Sequence, residues 1–112
     1  MVADRGVQRW DDLPLEKVTE MVSRKVMTGG RQMLAQVHLK RGAHVPVHVH
    51  ESEQMVYVLE GGLACAVAGR EMTVLEGDVL LVAARTRHQA VAIDDTFLLV
   101  VHAPAESASP SD

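Results

Sequence analysis

The chain has 112 residues, a mass of 12.2 kDa and 47% hydrophobic residues, enough for one core and too few for two. A formal charge of −4 and the lack of any Lys/Arg cluster argue against nucleic acid, whose binding depends on phosphate neutralisation. No run approaches the roughly 18 apolar residues of a membrane span, the first residues lack a signal-peptide core, and the single Cys65 excludes an intrachain disulfide, so the protein is expected in the cytoplasm with no membrane partner.

Residues 1–17, with Trp10-Asp-Asp-Leu-Pro-Leu15, read as an irregular N-terminal arm. Val18 to Met27 and Arg31 to Lys40 read as strands joined at the hairpin signal Thr28-Gly29-Gly30. The next segment, Gly42-Ala-His-Val-Pro-Val-His48-Val-His50-Glu-Ser-Glu-Gln54, carries the chemistry. On a strand His48 and His50 leave the same face with Cα atoms about 6.6 Å apart, so two imidazoles can close on one metal ion. Val45, Val47 and Val49 favour the extended backbone. A helix would send the two rings about 200° apart and is opposed by Pro46. The zinc-protease pattern His-Glu-x-x-His fails at its last position, which is Gln54.

After the loop Glu51-Ser52-Glu53, residues Gln54 to Glu60 alternate, with Gln54, Val56 and Val58 on one face and Met55, Tyr57 and Leu59 on the other. Gly61-Gly62 turns into Leu63–Ala68, Gly69-Arg70 into Glu71–Leu75, and Glu76-Gly77-Asp78 into Val79–Val82. Strands around His88–Ile93 and Thr96–His102 flank Asp94-Asp95. The Pro/Ser-rich tail, residues 104–112, is expected to be disordered. About nine short strands with tight turns, no convincing helix and no repeat predict an all-β sandwich or barrel.

Gly42, His48, His50, Gln54 and Gly61 fit the first motif of the cupin family: Gly, five residues, His-x-His, three or four residues, Glu, six residues, Gly. Gln54 stands where that motif has Glu. Gly77 and His88 keep the ends of the second motif, Gly, five residues, Pro-x-Gly, two residues, His, while Ala83-Ala84-Arg85 replaces Pro-x-Gly. Roughly residues 30 to 103 therefore resemble a small single-domain cupin, which implies one double-stranded β-helix, or jelly-roll, barrel over residues 18–103. The resemblance further implies one divalent ion per chain, Mn, Fe, Ni or Zn, held by His48, His50, Gln54 and His88. Gln54 has a second reading as a hydrogen-bonding partner of the ligands. Glu51 and Glu53 read as solvated loop charges, Glu53 having the opposite strand parity from Gln54, and His38 and His44 match no ligand slot.

On the last strand His102 shares a face with Leu98 and Val100, and in cupins the corresponding strand lines the barrel near the metal, which makes His102 the catalytic acid/base candidate. The run His-x-His-x-x-x-Gln-x-x-Tyr-Val-Leu-Glu-Gly resembles the cupins that open unsaturated uronate rings in pectin and alginate breakdown. Where those enzymes place an acidic residue and an aromatic on the last strand, this chain has Val100 and His102. A histidine on a late strand is also found in the manganese-dependent cupin hydroxynitrile lyases, which the chain resembles in its ligands. These likenesses imply a metal-dependent lyase or isomerase acting on a small carbonyl or hydroxyl compound. A metal-dependent dioxygenase and a non-catalytic small-ligand binding or sensing module are the alternatives. Small cupins usually bury their apolar outer faces in a homodimer, often by exchanging the N-terminal strand, and the same is expected here.

Overall fold

A computed structural model describes residues 6–105. A single 3-10 turn, Trp10–Asp12, precedes ten strands: β1 Glu16–Lys17, β2 Val22–Thr28, β3 Met33–Leu39, β4 His44–His48, β5 Glu53–Glu60, β6 Gly62–Val67, β7 Arg70–Leu75, β8 Val79–Val82, β9 His88–Ala92 and β10 Thr96–Ala103. Six of them form one sheet in the order β1-β2-β3-β10-β5-β8, and four form the other, β4-β9-β6-β7. Every pairing is antiparallel. This is the all-β barrel of two sheets that the turn spacing implied. Residues 106–112, most of the tail expected to be disordered, lie outside the described residues, as do residues 1–5 of the arm.

Period-two alternation decides what each sheet buries. Along β10 the inward residues are Thr96, Leu98, Val100 and His102, and along β5 they are Gln54, Val56 and Val58. Of these, Val56, Val58, Leu98 and Val100 meet Leu63, Cys65, Val74 and Ala92 of the smaller sheet in one continuous core. Strand parity read from the sequence therefore aims Gln54 and His102 correctly. The two are Cα partners across β5 and β10.

The strand expected from Val18 to Met27 is instead broken. Glu16–Lys17 folds back on β2 with Glu16 opposite Arg24, and the Val18 and Thr19 amides both donate to Val22 O. Thr19 supplies the reason: its Oγ1 accepts from the Met21 amide, a local bond that competes with the sheet ladder. The β6–β7 turn is centred on Ala68 and Gly69, both with positive φ, one residue earlier than Gly69-Arg70. At Gly61, φ is +83° and an added Cβ would sit 2.4 Å from Asp95 O, so both backbone angle and space require glycine there.

Candidate metal centre

The histidines reach the site from three places. His48 ends β4, His88 opens β9 as its Cα partner, and a register shift between Val45 and His48 marks an irregularity in that pair. His50 lies beyond the strand end, in the loop, rather than on the same strand as His48. The loop is held from outside: the Arg85 amide donates to His50 O at 2.9 Å, and Arg85 Nη1 donates to Glu51 Oε1 at 3.2 Å. Arg85 occupies the slot of the inner Gly of the second motif and adopts φ +59°, the left-handed conformation for which a glycine would be favoured.

The three rings converge. Centroid separations are 5.1 Å for His48–His50, 4.2 Å for His48–His88 and 4.9 Å for His50–His88. One ligand nitrogen from each lies within 4.8 Å of the others. Nitrogens each about 2.1 Å from a shared ion and at right angles would be about 3 Å apart, so modest ring movement completes a three-histidine face. His48 Nδ1 lies 2.9 Å from Pro46 O and His88 Nδ1 2.8 Å from Thr86 O. A carbonyl can only accept, so both rings carry a proton on Nδ1, which leaves Nε2 as the nitrogen for a metal.

Gln54, on β5 of the opposite sheet, lines the same cavity as His48 and His88. Its buried Oε1 and the buried His88 Nε2 have no hydrogen-bond partner among the described residues. Two acceptor atoms left unpaired inside a protein are costly, and a shared cation satisfies both. The His88 pKa is lowered from 6.5, first by burial and further by the neighbouring His48 and His50, against a raising effect of its bond to Thr86 O. It is therefore a neutral donor near pH 7. These residues fit a divalent ion bound by three imidazoles and one amide oxygen.

His48, Gln54 and His88 line a cavity of about 110 Å³ whose walls are otherwise largely apolar, with Val37, Leu63, Leu98 and Val100 among them. His102 is not part of that lining. It is 1% exposed, its Nδ1 lies 2.9 Å from Ser52 Oγ, and its ring meets that of His50 edge-on at 5.0 Å. His38 stacks on Phe97 and stands outside the metal-ligand cluster, while His44 lies at the cavity rim. Glu51 and Glu53 are exposed. Sequence reasoning passed over two residues. Ser52 gives no signal beyond a loop position, whereas Arg24, flanked at period two by Val22 and Val26, is a charge on an inward face and was legible as such.

Comparison with known proteins agrees with this arrangement. The profile of the family described as Cupin domain matches residues 35–103. The fold is similar to that of KdgF from Halomonas sp. (25% identity, 87% of this chain and 91% of that one, TM-score 0.81). It is also similar to an RmlC-like cupin from Shewanella frigidimarina (24% identity, 89% and 91%, TM-score 0.84). A third similar fold is a predicted oxalate decarboxylase from Thermotoga maritima (19% identity, 88% and 99%, TM-score 0.76). A search of curated protein sequences gives no match. With well over half of its length matched by that profile, and with the barrel and histidine cluster in place, the chain belongs to the cupin domain family.

Proposed function

We propose that the protein is a metal-dependent lyase or isomerase acting on a small substrate through a carbonyl or hydroxyl oxygen. The observation that carries this reading is the pair of buried acceptors without a partner among the described residues, Gln54 Oε1 and His88 Nε2, in a mostly apolar cavity that His48 also lines, with His88 clustered with His48 and His50. A bound divalent ion would act there as a Lewis acid, and with four neutral ligands its charge would remain uncompensated. The largely apolar walls lower the local polarity, which strengthens such electrostatic effects. His102 is the proposed proton carrier. Its ring lies edge-on to that of His50 with centroids 5.0 Å apart and its Nδ1 lies 2.9 Å from Ser52 Oγ, which supports this reading.

The test is incubation of metal-loaded protein with small hydroxy and oxo compounds in deuterated water, with an oxygen electrode in the same vessel. Deuterium incorporation without oxygen uptake is the expected result, and metal-dependent oxygen consumption would favour the dioxygenase instead. His102→Gln should retain its metal and lose deuterium incorporation by about 10²-fold or more. If metal is lost with it, His102 serves to position His50.

Two wider expectations belong to the same reading. Met55 and Tyr57 on β5 lie opposite Leu81 and Val79 on the edge strand β8, and all four side chains are exposed, a registered apolar face that suits a homodimer. The free, buried Cys65 thiol suits a reducing compartment such as the cytoplasm.

A further inference from the structure

We propose that Arg24 is an anion anchor, which makes the substrate a carboxylate held by its acid group at Arg24 in the cavity that the metal site also lines. The inference rests on the metal-dependent reading above and assigns the substrate class for it. Arg24 is 2% exposed, points inward from β2 and lines the same cavity as His48, Gln54 and His88. No other Arg or Lys lines that cavity among the described residues. Its Nε donates to Glu16 Oε1 on β1, and this is its one side-chain hydrogen bond among the described residues. The guanidinium has five N–H donors, of which the bond to Glu16 uses only the one on Nε.

A purely structural role explains the arrangement poorly. The Glu16 side chain is half exposed, whereas Arg24 is almost wholly removed from water, so the arginine bears most of the desolvation cost of the pair. The surrounding wall is Val22, Val37, Leu39 and Leu98, where an apolar side chain would pack without that cost. A planar, permanently charged fork in a mostly apolar cavity is the group best matched to a carboxylate. The cavity, at about 110 Å³, has room for a small acid group beside Arg24.

The experiment is calorimetric titration of acetate, glycolate and pyruvate, with acetone as the uncharged counterpart, into the full-length metal-loaded protein. Metal content is measured on every sample. At least one carboxylate should bind more tightly than acetone, and Arg24→Gln should weaken it about tenfold or more with metal content unchanged. Glu16→Gln keeps an acceptor for Nε but removes the competing charge, and should tighten the same carboxylate a few-fold. Should Arg24→Gln fail to fold, Glu16→Gln decides alone: tighter binding supports the anchor, and equal or weaker binding overturns it. The proposal also falls if none of the three carboxylates binds loaded wild-type protein, or if Arg24→Gln binds them as wild type does. If the wild type takes up no metal yet shows Arg24-dependent acetate binding, the anchor stands and the metal reading fails.

Discussion

Gln54 is the residue at which the two readings of the site, structural and metal-binding, make opposite predictions. Its buried Oε1 lacks a partner among the described residues, an omission that costs about 1–3 kcal/mol when no cation is present. Gln54→Leu should therefore raise the stability of the metal-free protein by about 1 kcal/mol in denaturant melts while weakening metal binding. A loss of stability in the metal-free form would show that Gln54 makes its bonds within the protein. His88 gives a pH test. Its folded pKa lies below the unfolded 6.5, so above pH 6.5 the ring is neutral in both states and costs nothing. As pH falls from 6.5 through the lowered folded value, the unfolded chain takes up the proton first and stability is lost. Metal-free wild type should melt at lower temperature at pH 5 than at pH 7, and His88→Gln should flatten that slope; an unchanged slope would contradict the burial effect. His48, His50 and His88 were legible in the sequence because ligand spacing constrains residue type. Ser52 and Arg24 were not used because a serine in a loop and an arginine in a strand ordinarily face water.

At the scale of elements, parity was the reliable signal. Gln54, Val56 and Val58 and then Leu98, Val100 and His102 face inward as alternation requires. What alternation does not carry is where a strand stops. His50 lies past the end of β4, and its position comes from the Arg85 amide 35 residues away in sequence, a bond invisible to any local reading. The break before β2 likewise depends on a Thr19 side-chain bond. Arg85 in the left-handed region makes a specific prediction. Arg85→Gly should be tolerated within about 1 kcal/mol, since relief of backbone strain offsets the more flexible unfolded chain, whereas Arg85→Val should cost about 1–3 kcal/mol and weaken metal binding through His50. Equal melting temperatures for the two variants would refute the link. Gly61→Ala should be worse, with a Cβ 2.4 Å from Asp95 O and φ +83° combining to cost about 2–5 kcal/mol.

For the whole molecule, no helix among the described residues is long and apolar enough to cross a membrane, and the two antiparallel sheets enclose one core with the histidine cluster beside it. The apolar outer face of β5 and β8 predicts a particle of twice the 12.2 kDa chain mass in light scattering, reduced to one chain mass by Leu81→Lys. A monomeric wild type would remove the dimer while leaving the site untouched. Everything said of function depends on one ion bound by residues from both sheets. Elemental analysis of the purified protein, repeated after loading with Mn, Fe, Ni or Zn, tests this most directly. One ion per chain is predicted for wild type, with loss of it in His48→Ala, His50→Ala and His88→Ala variants that remain folded. Wild-type protein without stoichiometric metal under any loading, or full occupancy in all three variants, would contradict the account.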